Sequence, residues 1–186
     1  MARKANRGGK LLLWFILLLM ITSLIIFPRW ARLFYPLPYQ EVVYSYALSN
    51  ELDPCLVFAV IRTESRFQHD AESAAGASGL MQIMPETGAW IAMKMGQDDF
   101  DVSSLQEAET NIAYGCWYLS YLLQEYNGDM CPALAAYNAG SSRVNAWLNE
   151  GVWDGERSTL KHIPYEETRE YVNKVLNNYE AYRAIY

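Results

Sequence analysis

Apolar positions along this chain fall into two regimes. From 11 to 27 they are continuous: LLLWFILLLMITSLIIF carries no charge and shows no polar face. From residue 40 onward they recur three and four apart, the spacing of amphipathic helices. QEVVYSYALSNEL makes the first such helix, ending near Asn50. Asp53-Pro54, an acceptor followed by proline at the first helical position, opens a second that runs to about Arg66. HDAESAAGASGLMQ, rich in Gly, Ala and Ser, is an irregular loop, and Pro85-Glu86 open the next helix, stopped at Gly96.

GQDDFDVSSLQE is a polar loop whose Ser103 or Ser104 caps a long helix with Ile112, Cys116, Leu119 and Leu123 on one stripe. Its Asp99, Asp101 and Ser103 resemble the start of a calcium loop, but the glycine that an EF-hand turn needs is missing, so a solvated loop is expected. Asn127-Gly128 turns the chain, and CPALAAYNAG forms a shorter helix stopped by Gly140. Val144, Trp147 and Leu148 follow at helical spacing, then a loop around GVWDGERSTLKHIP and a last helix from about Tyr165. No run alternates as a strand would, so the class is mainly α.

The continuous run changes the organisation. Its 17 residues at about 1.5 Å each span roughly 26 Å, just enough for a thin hydrocarbon core. Four basic residues precede it, which holds the N-terminus in the cytoplasm and the remainder outside. A cleaved signal peptide would leave a small-residue site after the run, where IIFPRWAR has bulky residues, proline and arginines instead. The expected organisation is a basic cytoplasmic segment at 1–10, an uncleaved transmembrane anchor at 11–27, a tether at 28–39 and one domain at 40–186. The domain should therefore stay at the outer face of the cell membrane.

Composition and charge narrow the function. With 52% apolar and 14% aromatic residues among 186, the chain builds a globular core. Residues 1–35 contain six basic residues and no acid; against a net charge of −6, the remainder carries −12. So acidic a body repels phosphate backbones and argues against nucleic acid as a partner. Cys55, Cys116 and Cys131 are odd in number. Cys116 and Cys131 flank the Asn127-Gly128 turn unequally, roughly 15 Å apart along a helical hairpin and too far to bridge. All three read as small buried apolar residues. C-x-x-C spacing is absent and His69 and His162 stand alone, so neither metal nor cofactor is expected.

Four short stretches carry chemistry. In VFAVIRTESRF the stripe Val57, Val60, Ile61 continues to Glu64. Desolvation there raises a carboxyl above about 4.3 and suits it to act as a general acid; a glutamate at a fraying helix end, neutralised by Arg62 or Arg66, is the alternative. In GASGLMQIMP, Gly76 and Gly79 permit close approach of a ligand, and Gln82 sets an amide amid apolar neighbours, as sugar hydroxyls and N-acetyl groups favour. A glycine-jointed core loop explains the same residues. AAYNAG presents Tyr137 and Asn138 at a helix end, or is simply a C-cap behind a core tyrosine. IPYEETREYV places Glu167 and Tyr171 four apart with Val175 next on the stripe, or is a core tyrosine with a first-turn acid.

Taken as an ordered set, ESRF, GLMQIMP, AAYNAG and IPYEETREYV resemble the catalytic domain of the Slt-type, goose-lysozyme-like family 1 lytic transglycosylases, over about residues 40–186. The resemblance implies a lysozyme-like fold and cleavage of the β-1,4 bond between N-acetylmuramic acid and N-acetylglucosamine in peptidoglycan strands, the C6 hydroxyl attacking in place of water to leave a 1,6-anhydro end. It implies Glu64 as the single catalytic acid and then base, with Ser65 beside it. It further implies Ser73, Gln82 and Met84 along the cleft, Tyr137 and Asn138 holding substrate, and Glu167 and Tyr171 in the last motif, Tyr171 or Tyr137 bonding the carboxyl. The cysteines stand where the family has other apolar residues, and the anchor replaces the large accessory domains of some relatives. A lysozyme-type muramidase using the same glutamate, or a non-catalytic wall-binding scaffold, is the competing expectation.

Overall fold

The computed structural model describes residues 7–186 and, within the first helix, the side chains of 9, 11–20, 22 and 30–34. Eight α-helices and two short 3-10 helices make up the described chain, apart from isolated β-bridges. They are α1 (Arg7–Phe34), α2 (Gln40–Ser49), α3 (Pro54–Glu64), α4 (Pro85–Lys94), α5 (Ala108–Glu125), α6 (Met130–Ala139), α7 (Ser141–Asn149) and α8 (Glu166–Ile185), with 3-10 turns at Val102–Gln106 and Arg157–His162. Two compact units result, one of the segment up to Pro36 with Ile185–Tyr186, the other Leu37–Ala184.

In the first unit α1 continues past the expected end of the apolar run, through the tether positions to Phe34. Leu11–Met20 are exposed on every face. Among the described residues no helix is long and apolar enough to cross a membrane; of the expected span 11–27, the side chains of 21 and 23–27 lie outside that description. The Tyr186 hydroxyl donates to the Tyr35 carbonyl at 2.8 Å, and Arg32 stands over the Tyr186 ring.

The second unit is assembled around α3 and α5. Asp53 starts α3 by accepting from the Cys55 amide at 2.8 Å, with Pro54 at the first turn. Every residue from Leu56 to Ile61 is buried, the signature of a helix inside the core. Helix α5 packs against α2, α4 and α6 and is therefore buried over a wide arc. That arc corrects the expected stripe: Ile112, Cys116 and Leu119 are buried, but the next core position is Leu122, with Leu123 half-exposed.

Three further expectations change. Neither Ser103 nor Ser104 caps α5. Asp101 accepts both the amide and the hydroxyl of Ser103 to start the 3-10 turn, and Glu107 stands at the N-terminus of α5; a carboxylate outcompetes a hydroxyl as acceptor. Helix α3 stops at Glu64 instead of Arg66, because Arg66 and Phe67 are left-handed (φ 53° and 67°). Of the free cysteines only Cys116 is buried; Cys55 and Cys131 are half-exposed at helix N-termini.

Candidate active site

The end of α3 is built to hold its last side chain in place. Ser65 closes the helix, its hydroxyl donating to the Ile61 carbonyl at 3.3 Å and accepting the Phe67 amide at 3.1 Å. Two left-handed residues then take the chain sharply away, leaving Glu64 at the edge of the core. Its carboxyl is raised from an ordinary 4.5 to about 7, chiefly by desolvation; the Tyr171 hydroxyl pulls it down, and the negative charge of Glu167 pushes it up. Tyr137 and Tyr171 are held well above the phenol range by burial and by the charge of Glu64. Both therefore stay protonated and able to donate at any physiological pH.

The tyrosines are not equivalent. Tyr137 donates to the Met81 carbonyl at 2.9 Å, so its proton is committed to the loop and not to Glu64. Tyr171 is the partner that faces the carboxyl. Its hydroxyl is the one buried side-chain polar atom among the described residues without a hydrogen bond of regular geometry. The Tyr171 hydroxyl nevertheless lies near enough to shift the Glu64 equilibrium.

One wall of the site is the loop between α3 and α4, and a residue absent from the sequence reading holds it. Asn111, fully buried on α5, accepts the Met81 amide at 2.7 Å and donates to the carbonyls of Ser78 at 2.9 Å and Leu105 at 2.8 Å. Gly79 lies so close to this amide that a Cβ would collide with it, and its φ of 80° excludes most other residues. Met81 seats directly on Gly115, where again no side chain fits. Gln82, left-handed at φ 49°, spends both amide hydrogens on the carbonyls of Ala71 (3.0 Å) and Gly79 (2.8 Å), which leaves its oxygen to receive a ligand. Asn111 had a readable signal: it begins a stripe with Gly115 and Leu122, a polar residue on an apolar face, as Glu64 is on α3.

Gln82, Met84, Tyr137 and Asn138 line one pocket of about 250 Å³, joined by Thr87, Tyr118 and Arg143. Asn138 and Arg143 also border a neighbouring pocket of about 280 Å³ with Glu167, Tyr165 and Thr168. Asn138 accepts from the Thr168 hydroxyl at 2.8 Å, so its amide nitrogen is the end left to donate. Ser65 and Ser73 line neither pocket. Ser65 is buried in its cap, and the Ser73 hydroxyl accepts the Ala77 amide at 2.9 Å inside the loop. Among the described residues no three His, Cys, Asp or Glu side chains gather as a metal site.

A family profile described as the transglycosylase SLT domain matches residues 41–159. The chain belongs to the transglycosylase SLT family. The soluble lytic murein transglycosylase of Salmonella typhimurium is 37% identical over 150 residues, 80% of this chain and 23% of the relative. The membrane-bound lytic murein transglycosylase D of Escherichia coli is 32% identical over 61% of the chain and 25% of its own length. In three dimensions this SLT chain is similar to the 70-kDa soluble lytic transglycosylase of E. coli, at a TM-score of 0.78 and 33% identity over 83% of this chain and 25% of that one, a protein also solved in complex with bulgecin A. It is likewise similar to the lytic transglycosylase Slt of Pseudomonas aeruginosa, solved as an inactive Glu-to-Gln mutant, at a TM-score of 0.72 and 35% identity over 81% and 24% of the two chains. This SLT chain thus spans about a quarter of the length of these relatives.

Proposed function

We propose that this chain is a peptidoglycan lytic transglycosylase in which Glu64 is first the acid and then the base. The observation that carries the reading is a carboxyl pushed up to about 7 by burial, faced by the Tyr171 hydroxyl and close to Tyr137, which lines the pocket of Gln82 and Asn138. The names of the relatives and the inactive Glu-to-Gln mutant of the Pseudomonas enzyme support it. In the first half-reaction Glu64 gives its proton to the glycosidic oxygen, and the C1–O bond breaks while the substrate's N-acetyl oxygen bonds C1. The carboxylate so formed accepts a hydrogen bond from Tyr171, whose unmet donor is suited to that moment. In the second, Glu64 takes the C6 hydroxyl proton, O6 bonds C1, and the C1–O(acetyl) bond breaks. The acid is regenerated and no water is consumed.

In this scheme the Gln82 oxygen accepts and the Asn138 amide donates to the sugar, while Met84 supplies an apolar wall. Tyr137 holds the loop to α6 as well as facing the pocket. Ser65 and Ser73 act through the local geometry of the α3 end and the loop. Glutamine at 64 keeps the volume and removes the proton, so Glu64→Gln should abolish release of anhydro-ended fragments from purified peptidoglycan, read by product mass, while glycan binding persists. Cleavage at the parent rate would refute the role.

A second reading is a hydrolase in which Glu167 activates water, since its charge is felt at Glu64. Reducing ends, heavier by one water, would mark that outcome. We further infer that residues 11–27 cross the cell membrane and hold the domain on its outer side. The unbroken apolar run, the exposure of Leu11–Met20 and the basic residues before them support this.

A further inference from the structure

A threonine inside a helix can spend its hydroxyl proton on a carbonyl four residues back. Thr22 does so on Leu18 at 2.9 Å, and Thr63 on Ala59 at 2.8 Å. Thr168, in the first turn of α8, does otherwise: its hydroxyl crosses to α6 and donates to Asn138 Oδ1 at 2.8 Å. Glu166 and Glu167 before it are exposed and Arg169 after it is half-exposed, whereas Thr168 is 2% exposed. A buried hydroxyl thus stands behind an amide that borders two cavities.

A primary amide has nearly the same shape either way round, so hydrogen bonds and not packing decide which end meets a ligand. With its oxygen on Thr168, Asn138 turns its nitrogen elsewhere. Among the described residues nothing accepts from that nitrogen, and the Tyr171 hydroxyl is the one buried side-chain polar atom without a partner. The Asn138 nitrogen is therefore not buried, and it reaches the open space that Asn138 lines. Reversing the amide would make Thr168 the acceptor and strand its own buried proton, the costlier state. Gln82 shows the opposite end for a matching reason, since both its amide hydrogens are held by the carbonyls of Ala71 and Gly79.

Resting on the reading of this pocket as a glycan site, we propose that Thr168 is a positioning residue that orients the Asn138 amide so that the pocket offers its ligand a donor. The pocket then has a fixed polarity, an acceptor from the loop at Gln82 and a donor from α6 at Asn138, each set by a partner behind it. A ligand with an acceptor oxygen at the Asn138 position is favoured. One that offers only a donor there meets a like group and leaves two polar groups unpaired.

The test is calorimetric titration of the full chain carrying Glu64→Gln, in mild detergent, with chitopentaose as the probe. Thr168→Val keeps the shape and removes the proton, and should weaken binding roughly tenfold, about one hydrogen bond. Thr168→Ser keeps the hydroxyl and should retain the parent affinity. In an Asn138→Ala background Thr168→Val should cost nothing more, because Thr168 acts through that amide. A merely structural threonine would cost the same in both backgrounds. Asn138→Asp, which still accepts from Thr168 but cannot donate, should lose as much as Thr168→Val and gives a reading even if that variant does not fold. No binding of the pentaose, full affinity in Thr168→Val or Asn138→Asp, a loss in Thr168→Ser, or a further loss in the Asn138→Ala background would overturn the role. The two proposals fail separately. A Glu64 parent that releases no glycan fragments, while pentaose binding depends on Thr168 only when Asn138 is present, keeps the positioning role and loses the reaction. Fragments released by a chain whose affinity ignores Thr168 do the converse.

Discussion

Glu64 concentrates the molecule's chemistry because its surroundings disfavour its charge. In the proposed reaction it acts first as an acid and must be protonated when the glycosidic bond breaks. The rate of anhydro-end release should therefore fall as pH rises through about 7, approaching tenfold per unit beyond it. An optimum on the alkaline side would contradict the assignment. The same shift reaches stability. Below 4.5 the carboxyl is protonated in both folded and unfolded chains; between 4.5 and about 7 the folded chain keeps a proton that the unfolded chain has lost. Stability attributable to this group is thus lost as pH rises through about 7. Glu64→Gln should be stabilising at pH 8 by about 1–3 kcal/mol, discounted for its partial exposure, and near neutral at pH 4, as denaturant titrations would show. Equal effects at both values would mean that the carboxyl is not desolvated.

At the scale of elements, most of the helices were legible and their joints were less so. Asp53-Pro54, Pro85 and Gly140 are local signals, and each marks the boundary it was expected to mark. The end of α3 depends on two non-glycine residues taking left-handed conformations, which no local preference announces. The 3-10 turn at Arg157–His162 lay within an expected loop. Contacts between distant residues escaped altogether: Asn111 with Met81, and Asn138 with Thr168, exist only once helices pack. The motifs located most pocket residues, but periodicity could not distinguish Ser65 and Ser73, which serve the backbone, from Gln82 and Asn138, which face the cavities. Asn111→Ala strands one buried amide and two carbonyls at once, so we expect roughly 3–5 kcal/mol of destabilisation in urea unfolding, with loss of glycan affinity. A cost below about 1 kcal/mol would show that the loop holds itself.

Over the whole molecule the sign of charge divides the chain, +6 in residues 1–35 and −12 after them. That asymmetry was readable in full, and with the anchored reading it gives a direct expectation. Protease added to intact spheroplasts should remove the domain and spare a short N-terminal fragment; a protected domain would reverse the topology. The tether was less readable, because helical residues and extended ones have the same composition. Helix α1 runs to Phe34 and α2 begins at Gln40, which leaves five residues, 35–39, where twelve had been expected. Fully extended, those five reach about 18 Å. With residues 11–27 in the bilayer, the domain would work on a leash, and the strands within its reach would be set by the width of the gap between membrane and wall. A cell that widened the gap would put strands beyond the domain's reach without touching its candidate site.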